Sequence, residues 1–392
     1  MVWPCKRFDL TWGDWRFALK ACLSAPRRDS VTARIENLWS ADRNTIACLT
    51  VRSAFDLFLR AKKWDPGGEI IFSALTVPDM PHIARQHGLR PVPLDIDPLT
   101  TAWDARALQQ LIGPRTRAIV LAHLFGARVD VNPAVAVARQ HGAAVVEDCA
   151  QAYAGPCWSG HPEADLSLFS FGPMKIATAF GGAIARVRQP QLRAEMRGLL
   201  ERDPVQATSE YLRRVLLFGV LKGASNPSIF AALVSSTNLL GLDREGWIRA
   251  LTRNVPREPL IRYIRRRPCA ALLGMLERRL GEGDAPVTRR AEPGGALFRT
   301  LGREVALPTR QARTHSYWMV PVLVRDREAV KSQLRRQGFD AMSERLGVVS
   351  DGRSTAPGAE RLADALYLPF DPEMPGSELE RLGELMTSLA SR

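Results

Sequence analysis

Residues 166–185 read LSLFSFGPMKIATAFGGAIA, between Asp165 and Arg186, and Lys175 is the one charged residue inside. An amine enclosed by apolar groups loses the hydration that stabilises its ammonium form. It then releases its proton more readily and becomes a usable nucleophile toward an aldehyde. Pro173 and Gly181-Gly182 interrupt the window, which places the lysine on a loop between two strands, within reach of a ligand. Taken alone, the window fits a lysine snorkelling from a surface loop equally well. The position gains weight from composition, because only seven lysines occur among 54 basic residues.

Outward from this window, residues 44–187 alternate short β-rich runs with stretches of helical apolar spacing. Strands are expected at 69–72, 118–121, 143–146, 166–169 and 183–185, and helices at 53–62, 80–87, 105–111 and 133–141. This is the pattern of an α/β fold, a sheet covered by helices. The run at 143–146 ends in Glu147-Asp148, followed by Cys149-Ala150-Gln151. Ligands of open α/β sheets bind outside the carboxyl ends of the strands, so a carboxylate there is a site candidate. An aspartate capping the next helix is the structural alternative.

Residues 191–280 read as mostly helical and rich in apolar residues flanked by arginine. The apolar runs 215–221 and 229–234 are separated by Lys222 and Asn226-Pro227, and neither approaches the roughly 20 residues that span a bilayer. Two readings remain: buried helical packing, or an apolar hairpin at a membrane surface. Residues 281–295, rich in Gly, Pro and charge, read as a linker. A strand at 320–324 and helices at 327–337 and 378–389 suggest a small α+β domain. The expected division is an N-terminal arm (1–43), a large α/β domain (44–200), a helical apolar-rich segment with linker (201–285) and a small C-terminal domain (286–392).

Hydrophobic residues make up 46% and charged residues 24%, so neither disorder nor a fibrous repeat is indicated. The net charge of +13 would suit an anionic partner, but the arginines are scattered and no nucleic-acid-binding signature accompanies them. Six cysteines without a CxxC pair or a His/Cys cluster argue against a metal site and for free thiols in a reducing cytoplasm. The first residues, MVWPCKR, lead into Asp9, Trp12, Asp14 and Trp15 rather than an apolar run, which argues against a secretory signal.

An aspartate about 27 residues before a lysine, with a serine five positions before it, is far more restrictive than either residue alone. Here the sequence resembles the DegT/DnrJ/EryC1/StrS family of fold-type-I aminotransferases. The resemblance rests on VVEDCAQA (145–152), on FSFGPMK (169–175) with Gly181-Gly182-Ala183, and on shorter matches at Asp95-Ile96-Asp97-Pro98, Pro114-Arg115-Thr116-Arg117 and His123-Leu124-Phe125-Gly126. It implies a mostly parallel central sheet flanked by helices, a smaller C-terminal α+β domain, a homodimer, and pyridoxal phosphate (PLP) as cofactor. That cofactor needs a carboxylate to keep its ring nitrogen protonated as an electron sink. By the resemblance, Lys175 holds the cofactor as a Schiff base and later shuttles the proton, and Asp148 pairs with the ring nitrogen. Gln151 lies against the ring and Ser170 binds the phosphate. Residues 50–54 (TVRSA) form the phosphate turn at the start of a helix, where backbone N–H groups of Val51 and Arg52 and the helix dipole receive the anion.

Several positions depart from the family's pattern. Val51 replaces a glycine and Arg52 a small hydroxyl residue; the guanidinium either binds phosphate in compensation or lies on the surface of the first helical turn. Val77 stands where a stacking aromatic is usual, and residues 262–270 (RYIRRRPCA) lack an asparagine that many members contribute across the dimer. His315 precedes the small domain's first strand and reads as a packed histidine, and Arg345 falls where it could meet substrate. The implied activity is amino transfer from an amino acid, such as glutamate, to a keto or aldehyde acceptor, a nucleotide-linked keto-sugar or another biosynthetic intermediate. A catalytically idle or regulatory homologue and a PLP enzyme of another reaction type are the alternatives. Peripheral membrane contact through residues 211–235 is a separate expectation.

Overall fold

The computed structural model describes residues 1–24, 26–39, 44–239, 260–343 and 346–390. In chain order the first half runs β1 (Trp3–Pro4), α1 (Trp12–Leu23), α2 (Arg28–Trp39), β2 (Thr45–Cys48), α3 (Val51–Lys62), β3 (Glu69–Ser73), β4 (Leu75–Thr76), α4 (Asp79–Gln86) and β5 (Arg90–Leu94). It continues α5 (Ala105–Leu111), β6 (Thr116–Ala122), α6 (Asn132–His141), β7 (Ala144–Asp148), β8 (Leu166–Ser170) and β9 (Ala183–Val187). Seven of these strands form one sheet in the order β2-β9-β8-β7-β6-β3-β5. The pairs from β8 through β7, β6 and β3 to β5 are parallel, and β9 is antiparallel to both β8 and β2. This is the mostly parallel, helix-flanked sheet expected from the sequence.

Strands β2 and β5 are not evident from the sequence pattern. β5 reads RPVPL, and prolines argue against a strand interior because they cannot donate to a ladder. The sheet resolves the conflict by placing β5 at its edge, paired among the described residues with β3 alone. The inner strands are buried on both faces, as their continuous apolar sequences require. Val146, Leu166 and Leu168 face a cluster built by α3, α4 and α7 (Pro190–Arg202). Their neighbours point the other way: Phe169 toward α1, α2 and the helix Ala270–Leu280, and Val145 toward α5 and α6.

The apolar region is buried in part and exposed in part. Helix α8 (Thr208–Ala224) meets residues Pro227–Ser236 of α9 (Pro227–Leu239) at a bend of 89°, and no single helix among the described residues is long and apolar enough to cross a membrane, although the bent pair together has the length and composition. Val215, Phe218, Phe230 and Val234 are buried, whereas Leu216, Ile229 and above all Val220, at 70% exposure, face outward.

Residues 281–295 do not form a linker. A short turn leads into the helix Ala285–Thr300. Pro286 falls in its first turn, where a missing N–H costs nothing. Gly294 serves close packing, since a Cβ there would lie 2.4 Å from the Tyr317 ring. The C-terminal lobe carries a three-stranded antiparallel sheet of Val320–Val322, Leu366–Leu368 and Met342–Ser343, covered by this helix and by Gly376–Ala390. The first residues of the chain join this lobe, with β1 pairing Phe339–Asp340 in parallel.

Candidate active site

Strand periodicity separates the adjacent carboxylates at the end of β7. Asp148 shares the Val146 side, which faces α3, and Glu147 points to the opposite side. Asp148 is buried, and its Oδ1 accepts from the N–H of Ala150 at 3.0 Å. Burial pushes its carboxyl above the ordinary value. The Ala150 N–H and the charges of Lys175 and Arg52 pull the other way without cancelling the effect. Asp148 and Lys175, 27 residues apart in the chain, therefore lie within electrostatic reach of one another.

Lys175 is half-buried in the turn between β8 and β9, where its own N–H donates to the carbonyl of Gly172 at 3.0 Å. Its Nζ lies 3.8 Å from the centroid of the Trp318 ring. A pocket beside it is lined by Trp318, Arg290 and the arm residues Lys6, Arg7 and Asp9. The arm was invisible as a site element in the sequence, since nothing local marks residues 5–9 as neighbours of a turn some 170 positions later. Asp9 fixes that neighbourhood directly, its Oδ2 accepting from the N–H of Ala177 at 2.7 Å.

Gln151 is buried, and its Oε1 accepts from the N–H of Phe125 at 2.9 Å, tying the segment after β7 to the loop after β6. Ser170, at the end of β8, is half-buried, with Oγ 3.4 Å from the N–H of Gly172. At the start of α3, Thr50 is the N-cap and accepts from the N–H of Ser53 at 3.1 Å, so the preceding orphan amides of Val51 and Arg52 are those presented at the helix end. The Arg52 side chain turns to Asp79, with Nε bonded to Oδ2. Val77 is partly buried against the α3 cluster. Arg345 lies outside the described residues.

Glu147 belongs to a structural network on the far side. Its Oε1 meets His123 Nε2 at 3.1 Å, and its Oε2 accepts from the His161 N–H at 2.6 Å and from Ser167 Oγ at 2.8 Å. Because His123 Nδ1 accepts from the Val129 N–H, the ring proton sits on Nε2 and is donated to Glu147. Burial alone would raise this carboxyl, but the bonds from His123, His161 and Ser167 outweigh it and hold Glu147 below the ordinary range. A depressed carboxylate stabilises the fold above its ordinary pKa and loses that contribution as pH falls through the depressed value. Glu147→Gln should therefore destabilise the protein at pH 7.5 by about 1–3 kcal/mol. Urea unfolding at pH 7.5 and pH 3.5 checks this, with a smaller penalty expected at the lower pH.

His315 is packed between Phe298 and Tyr317 and bonded to Thr309 Oγ1 at 2.9 Å, as its sequence context suggested. Burial lowers its pKa to about 4, which keeps it neutral. Nearby, Gly126 holds φ at +104°, and a Cβ there would lie 2.8 Å from the Trp318 nitrogen. Gly126→Ala combines a disfavoured backbone with a clash against another backbone, and should cost about 1–3 kcal/mol. A urea midpoint shift at unchanged m-value would report it.

Comparison with known proteins bears on these observations. Residues 32–223 match the sequence profile of the DegT/DnrJ/EryC1/StrS aminotransferase family. The matched region contains Asp148, Gln151, Ser170 and Lys175, whereas Trp318 and Arg290 come from outside it. The chain is 37% identical over 158 residues to GDP-perosamine synthase of Caulobacter vibrioides, covering 40% of this chain and 42% of that protein. It is 34% identical over 158 residues to UDP-N-acetyl-3-dehydro-alpha-D-glucosamine 3-aminotransferase of Acidithiobacillus ferrooxidans, covering 39% and 42%. The matches thus span less than half the length of these relatives. The fold resembles that of the aminotransferase TlmJ from Streptoalloteichus hindustanus along the full length of both chains, at a TM-score of 0.72 and 22% identity.

Proposed function

We propose that the chain is a PLP-dependent aminotransferase that moves an amino group from an amino acid such as glutamate to a keto or aldehyde acceptor, with nucleotide-linked keto-sugars as the acceptor class. The observation that supports this reading is the buried Asp148 carboxylate at the carboxyl end of β7, on the side of the strand that faces α3 and within reach of the Lys175 charge. The residues suit the cofactor chemically. A buried carboxylate whose acidity is weakened is short of positive charge, and a protonated pyridine nitrogen would make up that shortfall.

When bound, PLP supplies an aldehyde for amine capture and a protonated ring that withdraws electrons from the captured carbon. Lys175 would bond it covalently and, once released, carry a proton at Nζ to and from the reacting carbon. Asp148 would hold the ring-nitrogen proton. Ser170 Oγ and the amides of Val51 and Arg52 would take the phosphate, aided by the positive end of α3. With its Nε committed to Asp79, Arg52 contributes through its backbone. Gln151, fixed by Phe125, would orient the ring.

The reading includes a cytoplasmic homodimer, which light scattering on the purified protein checks. It also includes peripheral membrane contact through residues 211–235, supported by exposed Leu216, Val220 and Ile229 near Arg213. Flotation with anionic liposomes tests that contact, and equal recovery in the unbound fraction with and without liposomes excludes it.

Incubating the PLP-loaded protein with glutamate tests the activity. An aminotransferase releases one equivalent of 2-oxoglutarate and leaves pyridoxamine phosphate. An idle homologue yields neither, and an enzyme of another reaction type yields a decarboxylated or eliminated product.

A further inference from the structure

The indole of Trp318 touches the lysine turn twice. Its Nε1 donates to the carbonyl of Met174, the residue before Lys175, at 2.8 Å, and its ring centroid lies 3.8 Å from the Lys175 Nζ. The first contact fixes the backbone from which the lysine side chain springs. The second offers the ammonium the negative face of an aromatic ring.

The backbone carrying Trp318 is itself held on several sides. The N–H of Ser316 donates to the carbonyl of Gly126 at 2.8 Å, and the N–H of Met319 to that of Phe125 at 3.2 Å. The buried Arg290 guanidinium binds the Tyr317 carbonyl through Nε at 3.0 Å and Nη2 at 2.9 Å. Tyr317 and Phe125 have φ of +49° and +59°, and on the lysine side Ala177 and Phe180 have +54° and +61°. Residues with a Cβ persist in this region only where surrounding contacts over-determine them. The indole and the lysine turn are thus each locked before they meet.

We infer that Trp318 is a positioning residue for Lys175: its N–H sets the turn and its ring face holds the ammonium in one place whenever the amine is not bonded to cofactor. This deepens the reading of Lys175 as the cofactor-bonding amine and rests on it. A flexible lysine that must move a proton between defined atoms gains from a fixed resting place, because proton transfer requires hydrogen-bond reach. The anchor comes from the C-terminal lobe, outside the family-matched region, so it couples that lobe to the amine.

The test uses the full chain without cofactor, with Trp318→Leu and Trp318→Phe. Among the described residues, the charged groups around Lys175 include Asp148 from β7, Lys6, Arg7 and Asp9 from the arm and Arg290 from the helix Ala285–Thr300; both variants keep them. Reductive methylation of Lys175, followed by peptide mass spectrometry across pH, reports where the amine loses its proton. A ring face stabilises the ammonium, so Trp318→Leu should move the labelling midpoint down by about 0.4–1.5 pH units. Trp318→Phe should keep most of the wild-type midpoint but speed hydrogen exchange of the Lys175 amide, because the Met174 carbonyl loses its donor.

A folded Trp318→Leu protein with the wild-type midpoint would overturn the inference. Should that variant fail to fold, an unchanged Lys175 amide exchange rate in Trp318→Phe would overturn it instead. Failure of the underlying reading looks different: wild-type protein would form no PLP adduct at Lys175, whatever its labelling midpoint.

Discussion

Replacing Lys175 with alanine should lower turnover with glutamate by about 10²–10⁴-fold or more, the range supplied by a positioned proton-transfer group. Loss of covalent attachment adds to that deficit. The mechanism of loss is chemical, so folding should be little affected: Lys175 is half-buried on a turn whose bonds to Gly172, Asp9 and Trp318 are made by backbone atoms of residues 174, 175 and 177. Release of 2-oxoglutarate measures turnover, and thermal unfolding of the cofactor-free variant checks the fold. Turnover within threefold of wild type would remove Lys175 from the mechanism.

Asp148→Asn should separate stability from activity. Breaking a buried charge pair by removing one partner costs about 3–5 kcal/mol, which corresponds to roughly 10²–10³-fold or more in turnover if the ring-nitrogen proton depends on this carboxylate. The cofactor-free protein should respond in the opposite sense. Burial raises the Asp148 carboxyl above its unfolded value, so above that range the folded state carries a desolvated charge that it holds poorly. The neutral asparagine relieves this. The variant should therefore unfold at a higher temperature than wild type at pH 7.5. That advantage should fade as pH falls through the raised folded value toward the ordinary aspartate range, where the wild-type side chain is also neutral. A variant less stable than wild type at pH 7.5 would show that the charge is well compensated without cofactor.

Much of this arrangement is legible in the sequence because its determinants are local. The run AVVED has the apolar continuity of a strand buried on both faces, and its two-residue period is enough to send Asp148 and Glu147 to opposite sides. Lys175 is conspicuous as a single charge in an apolar window. The resemblance then supplies the pairing of the two, which spacing alone leaves open.

What escapes the sequence depends on contacts between distant segments. β5 hides behind Pro91 and Pro93, tolerated only because tertiary structure places the strand at an edge. Gly294 and Pro293 suggest a linker, yet the glycine admits the Tyr317 ring against a helix that continues through the proline. The seating of Arg7 on Asp371 at 2.8 Å brings the arm to the lysine pocket, and no local pattern announces an ion pair spanning most of the chain. Arg52 is the instructive case among the site residues. Its position suggested a guanidinium for the phosphate, but Asp79, at the start of α4, takes its Nε first.

The central claim is that the amine of Lys175 is the covalent anchor of an aldehyde cofactor. Borohydride reduction of the purified protein after incubation with PLP, followed by proteolysis and mass spectrometry, measures this directly. The account predicts one phosphopyridoxyl group per chain, on the peptide containing Lys175, and loss of the visible absorption band on reduction. A label spread over several of the seven lysines, or absent from that peptide, would contradict it.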